Sequence, residues 1–476
     1  MVTSRTARTT THSPDTAADA APTHPPGFRL RRGQNWFMLG LMYAAYYMCR
    51  YNLSVAAPRI MDQFGFDNEH YGAINSARHW CYSLGQFLNG LLTDRLGGKQ
   101  AMAIGAVLTI ILNLAFGMAS YAGAGSVWLL FIIIRGSDGY AQAFGSPGFI
   151  KVNTAWFPRA ERGRFAGVFG LMIQFGQIVI NALGPMLLAG ASIPLLVLTL
   201  HIPALHWRWL FWIPPAIVAV VAVLMYLLVK NTPEEAGYSV QHAAGEEHSD
   251  DDPDQSVPVW VAFKTIASKK IVWITAAAYF CTGIVRSAQF DWWAVYFDRE
   301  WGLDVADSPL VIITGALLPI TAVIGSLSSG FISDLLFGGR RAPVAMLLYG
   351  LESVVILAAA LLLGNAATAS AGLASAMTLV ISITCNSTHS ILGSAAPMDL
   401  GGRKMAGFAS GVIDSFQYLG AGVAGIGLGS LIDYATKSTQ IGWTAWFYFM
   451  LPFSVTGMLL MTYVWWRTRG QSVTGS

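Results

Sequence analysis

The stretch GLLTDRLGGK, Gly90 to Lys99, returns in altered form as GFISDLLFGGRR, Gly330 to Arg341. Gly90 and Gly330 are 240 residues apart, and so are Asp94 and Asp334. A second pair, RFAG from Arg164 and KMAG from Lys404, repeats the same offset of 240. Matches dispersed along the chain at one offset are the mark of an internal duplication. Each copy lies between two long apolar stretches, so the repeated unit is a bundle of membrane helices.

Composition fits that reading. The 476 residues are 54% hydrophobic and 12% charged, with a mean hydropathy of +0.50, where a soluble domain carries about a quarter charged residues. Apolar runs of about 20 residues, enough to cross roughly 30 Å of hydrocarbon, recur along the chain. They predict spans near 34–57, 70–92, 100–120, 126–149, 163–189 and 208–229. A second six follows near 270–297, 309–331, 342–363, 372–396, 404–432 and 443–466. The expected fold is an all-α membrane protein of 12 transmembrane helices in two pseudo-symmetric six-helix bundles. Its parts are a disordered cytoplasmic N-terminal tail (1–33), a first bundle (34–230), a cytoplasmic linker (231–268), a second bundle (269–467) and a short tail (468–476). The linker carries the acidic run Asp250, Asp251 and Asp252.

Lys and Arg favour alternate loops, among them Arg95 with Lys99, Arg340 with Arg341, and Arg403 with Lys404. Positive flanks resist translocation, so both termini are expected in the cytoplasm of a cell whose plasma membrane holds the chain; in a bacterium that is the inner membrane. A net charge of +3 without long basic runs gives no footprint for nucleic acid. Cys49, Cys81, Cys281 and Cys385 sit in apolar segments and suggest neither disulfide nor metal site. No GxxxxGK[ST] loop is present for direct ATP drive, no cofactor is implied, and no enzyme activity is expected. The expected partners are a small anion and the lipid bilayer.

GLLTDRLGGK resembles the signature loop of the major facilitator superfamily. The resemblance implies a cytoplasmic gate in which Asp94, Arg95 and Lys99, with Asp334 in the second copy, clamp neighbouring helices; such carriers often work as monomers. In the second copy Leu335 replaces the basic residue, so its clamp would lean on Arg340 or Arg341.

Cargo is argued from ionisable groups inside the spans, each costing about 2.5–3.5 kcal/mol at mid-bilayer on insertion scales. Arg50 and Arg286 lie in the first span of each half, hence on facing walls of a central cavity. Paired guanidiniums suit a phosphate dianion, which Arg grips bidentately; the plainer reading is a pair of structural ion pairs. Asp291 is expected as the salt-bridge partner of Arg286, and Asp291 and Asp414 are the candidates for proton carriage. Arg135 and Asp138, three apart, are expected to neutralise each other. His79 and His389 read as hydrogen-bonded packing residues and not as switches.

The tracts YAAYYMCRYNLSVAAP around Arg50, VRSAQFDWWAVYF around Arg286, NTPEEAGY from Asn231 and DLGGRKMAGFASGVIDSFQYLG from Asp399 resemble the organophosphate:phosphate antiporter family of glycerol-3-phosphate and hexose-phosphate carriers. The resemblance implies that Arg50 and Arg286 bind phosphate, and that Tyr43, Tyr47, Tyr82, Gln142 and Tyr418 line the cavity. The chain departs from glycerol-3-phosphate carriers in having Gln86 and Gln174 where they have a Lys and a His. Arg78 shares a helix face with Tyr82 and Gln86. It either replaces the lost cation, which would suit a longer or doubly anionic substrate, or snorkels to the headgroups. Exchange of an organophosphate for inorganic phosphate by alternating access is the expected function. A membrane sensor of sugar phosphate and a proton-coupled organic anion symporter are the alternatives.

Overall fold

The computed structural model describes residues 25–157, 159–195, 198–238, 264, 268–337 and 340–468. Within these, the side chains of 124, 159–169, 191–195, 198–200, 202, 334 and 394–410 are not described. Twelve helical spans cross the molecule. Span 1 is Phe28–Phe64, span 2 Asn68–Leu96 and span 3 Gly98–Ala119. Span 4 is broken into Ala124–Gln142 and Gly145–Trp156. Span 5 is Arg159–Ala189, and span 6 joins a 3-10 turn, Trp207–Phe211, to Ile213–Leu228. The second half comprises span 7 (Lys270–Trp301), span 8 (Pro309–Phe337), span 9 (Arg341–Leu363), span 10 (Ala371–Ser390, then a π turn Ile391–Ala395), span 11 (Ala396–Ser438) and span 12 (Ala445–Thr468).

The spans match the apolar stretches, and several, among them 1, 2, 8 and 11, run well past them. Span 1, at 37 residues, is about 55 Å long at 1.5 Å per residue. One departure from an all-helical chain is an antiparallel hairpin between spans 5 and 6. Its strands β1 (Ala191–Leu195) and β2 (Leu198–Ile202) pair from Ala191↔Ile202 to Leu195↔Leu198. The break in span 4 follows from Pro147, which has no N–H for the carbonyl of Ala143 and stops the ladder there.

Among the described residues, nine spans are apolar and long enough to cross a membrane unaided, and spans 1, 2 and 4 are not. Those three carry Arg50, Arg78 with His79, and Arg135 with Asp138, all buried within the protein. Their polar groups are tolerated because they face other helices and not lipid.

The halves meet along span 2 against span 11, span 5 against span 8 and span 1 against span 7. The first two pairs are exchanged by the pseudo-twofold axis. Spans 2 and 11 touch backbone to backbone. A Cβ on Gly72 would lie 2.1 Å from the Gly425 carbonyl oxygen, and one on Gly425 would lie 2.5 Å from that of Gly72. Small residues permit such an approach where helices associate without hydrophobic drive.

Candidate functional site

Arg50 and Arg286 are 4% and 8% exposed, and both line one small cavity at the seam, with Arg78, Asp291 and Tyr418 also on its wall. Each is held by an amide from the fourth helix of its own half. Arg50 Nε donates to Gln142 Oε1 at 3.0 Å, and Arg286 Nε donates to Asn386 Oδ1 at 3.1 Å. The Arg50 guanidinium lies between the rings of Tyr47 and Tyr82, 4.5 and 4.4 Å from their centroids. This cation–π contact fixes its plane. Its Nη2 is buried and has no partner. Arg286 rests near Phe290 at 5.4 Å.

Phenols ring the site. The Tyr82 ring lies tilted 4.3 Å from that of Tyr418 across the seam, its hydroxyl accepts from Gln86 Nε2 at 2.9 Å, and the Tyr43 hydroxyl lies 3.5 Å from that oxygen. Tyr47 continues the wall beside Tyr43. Gln174 on span 5 is half-buried, with an enclosed Oε1 that has no partner. Asp414, half-buried on span 11, lies one turn from Tyr418.

The structure corrects four expectations. Asp291 pairs not with Arg286 but across the seam, with Arg78 Nη2 at 3.0 Å and His79 Nε2 at 2.7 Å. Five residues at 100° each put Asp291 about 140° around the helix from Arg286, so it faces span 2. Arg78 is 4% exposed and does not snorkel; Asp291 meets its charge. His79 is buried and hydrogen-bonded within that cluster, and Ser287 also donates to Asp291. Gln142 does not offer a free amide to a ligand, because its oxygen holds Arg50 and its nitrogen donates to Asp138 Oδ2 at 3.0 Å.

The fourth correction concerns the clamp. Asp94 takes Lys151 Nζ at 2.9 Å, not Arg95 or Lys99. Arg95 is exposed and Lys99 lies over the Tyr226 ring at 4.5 Å. The NTPEEAGY tract docks on this loop, where Asn231 Oδ1 accepts from the backbone N–H of Lys99 at 2.9 Å. The side chain of Asp334 lies outside those described. Arg135 and Asp138 do pair, at 3.1 Å.

Cross-seam polar contacts cluster toward the end of the molecule that carries Asn68. Asp433 on span 11 accepts from the backbone N–H groups of Asn68 and Glu69 at 3.4 and 2.9 Å, capping span 2 from the opposite half. Arg59 reaches Asp304 at 3.3 Å, Arg299 reaches Asp62 at 2.6 Å, and Asn181 donates to the Gly315 carbonyl at 2.7 Å. Along span 2, contacts continue through Ser76 and Trp80 to Ser83, which donates to the Ser415 carbonyl at 2.9 Å. From Leu84 to the Asp94 end, no hydrogen bond among the described residues joins span 2 to the other half.

Sequence reasoning missed Asn386, Lys151, Asp433 and the backing of Gln142. Asn386 had a findable signal, since it sits 244 residues after Gln142, close to the repeat offset.

Comparison with known proteins agrees with this architecture. The family model described as Major Facilitator Superfamily matches residues 39–425, and the chain belongs to that superfamily. A Chlamydia trachomatis protein named "Probable hexose phosphate transport protein" is 25% identical over 451 residues, 92% of each chain. The membrane sensor protein UhpC of Escherichia coli is 26% identical over 85% of this chain and 87% of its own. A bacterial homologue of the human lysosomal transporter Spinster, solved inward-facing and unoccupied, shares the fold. Its TM-score is 0.66 at 16% identity, over 91% of this chain and 95% of its own.

Proposed function

We propose that this protein is a secondary carrier that exchanges an organophosphate for inorganic phosphate by alternating access. The observation that carries the reading is the pair Arg50 and Arg286, which come from corresponding helices and line one cavity, each tied at Nε by its own half. That leaves the Nη groups for a phosphate placed between them. Arg78, being neutralised by Asp291, gives no reason to require a second anionic group on the substrate. Tyr43, Tyr47, Tyr82, Tyr418 and Gln174 suit the hydroxyls of a sugar or polyol. The relative named for hexose phosphate transport supports the same class.

With the basic loops inside, the Asp94 end faces the cytoplasm and the seam is closed on the outer side. Two guanidiniums sealed in an empty, low-dielectric cavity are costly, so the unloaded protein resists the closure that crossing requires. Phosphate removes that cost, and exchange follows because a ligand shifts a conformational equilibrium only through its differential affinity for the states.

The test is uptake of labelled phosphate into proteoliposomes with and without internal phosphate. Wild type should need internal phosphate, and Arg50→Lys and Arg286→Lys should each lose about a hundredfold or more in apparent affinity, as truncation of a buried charge-assisted contact does. Absence of phosphate exchange and binding in folded wild type would overturn the reading. Phosphate binding without exchange would favour a sensor, the reading that the similarity to UhpC supports.

A further inference from the structure

Behind Arg50 lies a buried ion-pair network that, among the described residues, has no counterpart behind Arg286. Asp138 and Arg135 on span 4 are each 1% exposed. Asp138 Oδ2 accepts from Arg135 Nη1 at 3.1 Å and from Gln142 Nε2 at 3.0 Å, and its Oδ1 accepts from Asn113 Nδ2 at 3.1 Å. Asn113 is braced in turn by Asn52 Nδ2 at 3.0 Å. Arg135 also turns back on span 1, donating from Nη2 to the Arg50 carbonyl at 2.9 Å and from Nη1 to the Cys49 carbonyl at 3.2 Å. The pair therefore grips both the backbone at Arg50 and, through Gln142, its side chain.

We propose that Asp138 is the positioning residue of the phosphate site, setting the direction of the Gln142 amide and through it the orientation of Arg50. This rests on Arg50 being a phosphate ligand. A primary amide has a donor end and an acceptor end, and only the acceptor end can hold an arginine Nε. An ionised carboxylate accepts and cannot donate, so it fixes the NH2 of Gln142 toward itself and the carbonyl oxygen toward Arg50. With Arg50 Nε so occupied and the guanidinium plane set by Tyr47 and Tyr82, the Nη groups are the donors left for an anion, and Nη2 has no other partner. A side chain at 138 that can present a donor removes this directionality. Gln142 can then rotate its NH2 onto Arg50, where two donors meet.

The test measures binding of labelled inorganic phosphate to purified wild type, Arg50→Lys, Asp138→Asn and the double variant Arg135→Met/Asp138→Leu. Thermal unfolding is followed with and without phosphate. The double variant is included because replacing a whole buried ion pair by apolar residues of similar volume is often neutral for folding, yet it leaves the Gln142 NH2 with no acceptor at Asp138. Both Asp138 variants should bind phosphate about tenfold to a hundredfold more weakly, the range for hydrogen bonds to charged groups, and should lose most of the phosphate-induced rise in unfolding temperature. A purely structural role predicts the opposite split, with unfolding temperature lowered and phosphate affinity unchanged; that result in either folded variant overturns the inference. If wild type binds phosphate and Arg50→Lys does not, such a failure belongs to Asp138 alone. If folded wild type binds no phosphate, the functional reading falls and this inference with it.

Discussion

The two cavity arginines come from duplicated helices but are mounted differently. Arg50 is held by Gln142, which is backed by the Asp138 and Arg135 ion pair. Arg286 is held by Asn386, whose amide nitrogen donates to the Ser382 carbonyl at 2.8 Å, a neutral backing. In the second half Asp291, five residues past Arg286, crosses the seam to Arg78 and His79, while Glu352 is buried on span 9. The first half thus keeps Asp138 behind its arginine, while the second half lends Asp291 to the opposite wall. The two cations are tied alike at Nε and the acids are placed differently, so disturbing one acid should alter affinity and disturbing the other should alter closure.

The sharpest test of that division is Asp291→Asn. It leaves Arg78 buried without its counter-charge, and breaking a buried pair from one side costs about 3–5 kcal/mol. The seam should loosen at the Asn68 end, and labelling of a cysteine placed at Ser76 should speed up markedly; an unchanged rate would show that the cross-seam pair does not hold that end shut. Smaller, and aimed at the mounts themselves, is the contrast between Gln142→Ala and Asn386→Ala. The first strands Arg50 Nε and takes one of two donors from the Asp138 carboxylate oxygen Oδ2, the second strands Arg286 Nε and takes a donor only from a neutral carbonyl. Each truncation removes a hydrogen bond from a charged guanidinium, roughly 1.5–3 kcal/mol, so phosphate affinity should fall about tenfold or more for both, and further for the first, which also disturbs the Asp138 carboxylate. Equal losses would mean that the two mounts are equivalent.

Below these comes Asp433→Ala, which removes the cap that one half places on span 2 of the other. Loss of an N-cap costs about 0.5–2 kcal/mol, so hydrogen exchange at Asn68 and Glu69 should accelerate, with phosphate affinity in the closed state retained. The smallest effect is expected from Lys151→Ala. Its pair with Asp94 is 40% and 73% exposed on the two sides, and pairs of that exposure contribute about 0–1 kcal/mol. Thermal unfolding within a degree or two of wild type would fit, whereas a large loss would restore the clamp at the Asp94 end to importance.

The fold was legible because lipid leaves little freedom: apolar runs of bilayer length have to be helices, and the offset of 240 residues tied the halves together. Arg50 and Arg286 could be found because charges inside spans are few. Their surroundings were not legible, for reasons of register. Asp291 looked like a neighbour of Arg286 in sequence, yet i and i+5 point to different flanks of a helix, and its true intrahelical partner is Ser287 at i−4. Asp94 likewise stands beside Arg95 in sequence, but adjacent helical residues do not face each other, and Lys151 comes from another helix. Partners across a seam depend on how two bundles dock, which no local pattern encodes.

The glycine contact between spans 2 and 11 has a mechanical consequence. At Gly72 and Gly425 the seam is closed by the absence of side chains, so its fit tolerates nothing thicker than a hydrogen atom. One methyl group there would act as a wedge, prying the Asn68 end of the seam apart at a distance from the cavity arginines. If the protein is the carrier proposed above, such a variant would separate capturing the cargo from carrying it across, with the pocket intact and the stroke jammed.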